Sequence, residues 1–195
     1  MIIFIYIKYI IRFGMFLERK NNILIIIIVI LAVLIIVAGT FVYQNYKTQQ
    51  MDVNMLNFHV VMLGVGTEYD QTNKIANTTP INYDQMYNNI DDMINKSNQA
   101  KSYEETAYQY ADGPYKDAIA MNLNSTNYYI TELELWKQRI QFIQQNNLVE
   151  TANIKKQEDI VTGEMTKITN DFTTFEATNP NIKQHMHKYW NFTDS

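Results

Sequence analysis

From Ile23 to Tyr43 the chain runs for 21 residues without a single charge, in a sequence otherwise rich in Asn, Gln, Thr and Tyr. As a helix rising about 1.5 Å per residue, such a run reaches across the roughly 30 Å hydrocarbon core of a bilayer. A secretory signal would have a shorter apolar region, of about 7 to 15 residues, followed by a small-x-small cleavage site. The nearest match, Val37-Ala38-Gly39, is poor. The sequence therefore predicts an uncleaved membrane anchor over residues 22–43, with the lipid bilayer as its first partner. With no cysteine anywhere, a lipid-modified cysteine anchor is excluded and no disulfide supports the rest of the fold.

Orientation follows from the flanking charges. Lys8, Arg12, Arg19 and Lys20 precede the run, whereas only Lys47 lies close behind it. Basic residues stay on the cytoplasmic side, so residues 1–21 are expected to form a short basic cytoplasmic N-terminus and everything from Gln44 onward to face outward. Met15 offers an alternative start, giving "MFLERKNN" before the anchor. The part after the anchor holds 12 Lys and Arg against 19 Asp and Glu, a formal charge of −7. An acidic surface argues against a nucleic-acid partner and against adsorption to anionic lipid.

Three prolines and one Asn pair divide this outer part. Pro80, Pro114 and Pro180 follow "NTT", "ADG" and "ATN", and Asn146-Asn147 supplies a further break. Proline is tolerated at the start of a helix but not inside one, so each marks a boundary. The resulting segments, 48–77, 81–111, 115–146 and 148–177, are near-equal in length and joined by short loops. That pattern predicts an all-α fold in which a single transmembrane helix leads into an antiparallel up-down four-helix bundle over 44–178, followed by an aromatic tail over 179–195.

Apolar spacing supports helices in each segment. The second places Met86, Ile90, Met93, Ser97, Ala100, Glu104, Ala107 and Ala111 on one seam alternating by three and four. The third gives Ile119, Asn122, Thr126, Tyr129, Leu133, Trp136, Ile140 and Ile143, and the fourth Ile154, Glu158, Val161, Met165, Ile168, Phe172 and Phe175. In the first segment Val53, Leu56, Val60 and Leu63 are spaced helically, but Gly64 and Gly66 predict a kink or local break, each glycine costing about 1 kcal/mol in a helix.

Polar residues on these seams are where a binding function is expected. Counting from the turns brings Asn54, Glu104 and Asn122 to one level, a ligand-binding layer if the carboxylate is paired or hydrogen-bonded. The competing expectation is that Glu104 sits at the seam edge with its head in water. Glu158 carries the same expectation, with Lys137 as partner. For metals the sequence offers only His185 and His187 as weak candidates, which point apart on a helix and are expected at the surface. No cofactor is implied, and no P-loop, HExxH, dinucleotide or nucleophile-elbow motif occurs, so an enzyme is not expected. Asn77 and Asn191 head the two Asn-x-Ser/Thr triplets best placed for glycosylation on the outer side. Abundant tyrosine and phenylalanine read as core and rim packing, and the tail residues Tyr189, Trp190 and Phe192 as an aromatic end that docks on the helices or meets the bilayer interface. Function is thus expected to be binding or structural association at the cell surface, through a membrane or cell-surface protein partner. A sensor module signalling through a membrane partner is the alternative. No stretch of the sequence resembles a family closely enough to name one.

Overall fold

A computed structural model describes residues 22–192, with side chains from Ile26 onward. The expectations for residues 1–21, including the basic N-terminus and the start at Met15, lie outside these. Among the described residues there are five helices: α1 Asn22–Ala76, α2 Tyr83–Tyr110, α3 Pro114–Gln144, α4 Leu148–Thr178 and α5 Pro180–Tyr189. The described residues contain no strand, and the fold is all-helical.

The helix ends lie where the turn residues place them. Asn82 caps α2, its side chain accepting from the Gln85 amide at 3.0 Å. Asn147 caps α4 in the same way, accepting from Glu150 N–H at 3.1 Å, after Asn146 has turned the chain at φ 56°. Pro114 and Pro180 each occupy the first turn of a helix, where a missing N–H removes no intrahelical bond. Gly113, with φ 55°, adopts a backbone conformation that a side chain would disfavour.

The chain divides into two compact units, Met1–Lys47 and Thr48–Ser195. In the first, α1 is apolar on every side and its isoleucines, leucines and valines between Ile26 and Val42 are largely exposed. It contains the one helical segment among the described residues that is long and apolar enough to cross a membrane.

The second unit encloses the core. One cluster joins Met51, Met55 and Phe58 of α1 to Ala100 and Ala107 of α2, Ile119 of α3, and Met186 and Trp190 at the C-terminal end. A second, toward the α1–α2 turn, contains Val65, Met86, Ile90, Met93, Leu133, Trp136 and Ile140. A third, smaller cluster of Leu135, Ile154 and Val161 lies between α3 and α4. Ion pairs tie consecutive helices along their lengths: Lys96 to Glu68, Lys137 to Asp91, and Arg139 to Glu158 at 2.8 Å.

The α2 seam is buried as its spacing predicts, from Met86 to Ala111. Two expectations for α1 are corrected. Val53, Val60 and Leu63 lie outward, the last two 60% exposed, while the inward seam is Met51, Met55, Phe58, Met62, Val65, Tyr69 and Thr72. Both stripes have helical spacing, but only the second keeps a strict alternation of three and four through seven positions, which is what a helix packed along its full length requires. The expected break at Gly64 and Gly66 does not occur, and α1 is continuous through both. Their faces are open, with nothing within 4 Å of where a Cβ would stand, so neither marks a close approach.

Candidate functional site

The predicted polar layer exists in part, and its carboxyl group is not in water. Glu104 is fully buried, correcting the expectation that it sits at the seam edge. It occupies the middle of a seam whose neighbours Ala100 and Ala107 are themselves fully buried, and a three-carbon side chain cannot reach solvent from there. Asn122 and Thr126 of α3 face it and favour its charged form. Asn54 is not among the groups that act on Glu104, and its amide donates to the Gln50 carbonyl of its own helix at 2.7 Å.

Asn122 and Thr126 stand close enough to Glu104 to draw on its carboxyl, but neither carboxyl oxygen receives a hydrogen bond of good geometry, nor do Ser97 Oγ and Asn122 Nδ2 make one. Burial dominates the environment and pushes the Glu104 pKa up to about 8, against the pull of Thr126 and Asn122; the Glu105 charge adds to the rise and Lys101 opposes it. At neutral pH this side chain is mostly a neutral acid.

A second polar site lies nearer the opposite end of the unit, in a cleft of about 170 Å³ between α1, α3 and α4. Each helix supplies residues at one-face spacing: Tyr69 and Asn73 from α1, Glu132, Trp136 and Arg139 from α3, and Lys155, Glu158 and Thr162 from α4. Glu158 is buried, again correcting the exposed-edge expectation, and its partner is Arg139 rather than Lys137. Two residues apart on a helix means nearly opposite faces, so Lys137 points to Asp91 of α2 while Arg139 points to α4.

One oxygen of Glu158 accepts from Arg139 Nη1 at 2.8 Å and lies 3.7 Å from Lys155 Nζ; the other is buried without a partner. Burial raises the Glu158 pKa, while Arg139 and Lys155 pull it down. Glu132, half-buried, makes no hydrogen bond or ion pair among the described residues, and burial followed by the nearby Glu158 charge raises its pKa, with Lys155 opposing. Tyr69 and Trp136 meet edge to face at 5.6 Å and form an aromatic wall.

Trp136, Arg139 and Lys155 also line an apolar groove of about 470 Å³, completed by Ala76, Ile81, Met86, Ile140, Ile143 and Leu148 among others. The two spaces therefore share a boundary, one side charged and the other apolar.

His185 and His187 are partly buried, between the surface position expected for them and the core. His185 Nε2 lies 2.7 Å from Asp52 Oδ1, which also accepts from the Trp190 indole N–H at 2.7 Å. His187 Nε2 lies 3.9 Å from Glu176. The two rings thus serve different carboxylates, and among the described residues no three His, Cys, Asp or Glu side chains gather as a metal site would need. Asn77 is exposed in the turn after α1, its amide donating to Asn73 O at 2.8 Å, and Asn191 is exposed with φ 58°.

Glu132, Arg139 and Lys155 were not singled out by sequence because none lies on an apolar seam. Their signal is Glu132 and Arg139 at i and i+7 on α3 facing Lys155 and Glu158 at i and i+3 on α4, legible only once the two helices are aligned. No family model, no curated protein and no solved structure matches this chain.

Proposed function

We propose that this is a single-pass membrane protein, N-terminus in the cytoplasm, which displays an up-down four-helix bundle outside the cell and acts by binding a small ligand there. The carrying observation is the cleft, where a half-buried carboxylate and a half-used buried one stand among Arg139, Lys155 and two aromatic rings, beside an apolar groove. Pockets that hold small ligands combine mostly apolar walls with a few convergent polar groups. Ligand occupancy would then be passed to a membrane partner, which is the sensor reading. Structural association is the second reading, favoured by the outward stripe of Val53, Val60 and Leu63 on α1.

Location and binding are tested separately. With no native cysteine to interfere, Thr48→Cys reacts with a membrane-impermeant maleimide in intact cells and Glu18→Cys reacts only after the cells are opened; the reverse pattern overturns the orientation. Purified full chain in detergent is then screened by melting temperature against sugars, polyamines, amino acids and carboxylates. A compound bound only by the folded state raises that temperature. A flat response throughout favours association, which Val60→Cys crosslinking between neighbouring chains would report.

A further inference from the structure

We infer that the cleft recognises a free amino acid with an apolar side chain, its ammonium set against Glu132 and Glu158, its carboxylate against Lys155 and Arg139, and its side chain lying in the adjoining groove. This rests on the binding reading above and gives it a ligand class.

Both charges of the ligand have a counterpart on the page. Glu158 commits one oxygen to Arg139 and leaves the other, buried, without a donor; Glu132 carries a second carboxylate without an ion pair in the same cleft. A buried acceptor lacking a donor is unfavourable, and an ammonium group, with three donors, can satisfy one carboxylate oxygen from each side chain. Tyr69 and Trp136 line the same cleft, and an aromatic ring near that position also favours a cation. On the cationic side, Arg139 uses Nη1 toward Glu158 and retains further N–H donors of its five. Lys155 is over half exposed and stays adjustable, lying 3.0 Å from Asp159.

A ligand bearing only one charge would leave half of this arrangement unanswered. A purely apolar one would fill the groove and leave the charged cleft untouched. Trp136, Arg139 and Lys155 line both spaces, so an ionic head in the cleft and a short apolar body in the groove would meet at the same three side chains.

The test uses the full chain in detergent and follows tryptophan fluorescence, with Trp136→Phe to assign the signal. Four probes are titrated: L-leucine, glycine, 3-methylbutylamine and 4-methylpentanoate, the last two being leucine without its carboxylate and without its ammonium. Leucine is expected to bind at least tenfold more tightly than each of the others. Glu132→Gln should weaken leucine and the amine at least tenfold and leave the acid unchanged. Lys155→Met should weaken leucine and the acid and leave the amine unchanged. Unchanged helical circular dichroism and ligand-free melting in both variants keep misfolding from imitating these results. If the amine or the acid equals leucine, the zwitterion is wrong while the cleft remains a binding site. If glycine equals leucine, the groove takes no part and the apolar class is wrong. If none of the four binds, the ligand class is overturned, and the broader screen decides the binding reading independently.

Discussion

At the scale of single residues, Glu104 makes the stability of the unit Thr48–Ser195 depend on pH. Its carboxyl titrates near 8 in the folded chain and near 4.5 when exposed, so the native state holds a proton that the unfolded state has released between those values. Stability from this group is therefore complete below about pH 4.5 and falls as pH rises toward 8. At about 1.4 kcal/mol per pH unit, the loss between pH 5 and 8 is roughly 4 kcal/mol. Glu104→Gln, which cannot ionise, should match the wild type near pH 5 and exceed it by a few kcal/mol at pH 9. Denaturant melts at both values check this, and parallel pH profiles for the two proteins would show that the carboxyl is solvated. Leu133, 1% exposed in the second cluster, should lose about 2 to 5 kcal/mol on truncation to alanine. A change below half a kcal/mol would place it outside the core.

At the scale of elements, α1 and the C-terminal segment are the informative pieces. Gly64 lies mid-helix, exposed, with open space where a side chain would go. Gly64→Ala should therefore raise stability by about 0.5 to 1 kcal/mol, read from the shift in denaturant midpoint. Destabilisation would mean that this face is covered by another chain. The tail is structural: Trp190 is fully buried, bonds to Asp52 and meets Tyr115 and Phe192 at 6.3 and 5.6 Å between ring centres. Trp190→Ala should cost about 3 to 5 kcal/mol. Of the two roles expected for this aromatic end, docking on the helices is the one observed.

At the scale of the whole molecule, the unit Thr48–Ser195 has its own core and should fold when produced without residues 1–47. Circular dichroism should show a helical spectrum and one cooperative melt; a strand-dominated spectrum would contradict the fold. Ending the fragment at Thr178 should lower its melting temperature, because Met186 and Trp190 leave the first cluster. Equal melting of the two fragments would make the tail a passenger.

The sequence by itself determined the helices, their ends and much of the core. Prolines and Asn caps act through the backbone of their own residues, and the three-and-four spacing of α2 to α4 needs no knowledge of a partner. An apolar run of membrane length is likewise a local property. Which of two apolar stripes on α1 turns inward was decided only in three dimensions, since Val60 and Met62 are equally fit to be buried until a neighbour chooses between them. The same holds for charge. Glu104 and Glu158 have side chains that could reach water from a seam edge, and only packing against α3, with Asn122 and Thr126 facing one and Arg139 the other, fixes them inside. The cleft depends on the alignment of three helices, and an alignment is set by the sum of all their contacts, not by any residue in it.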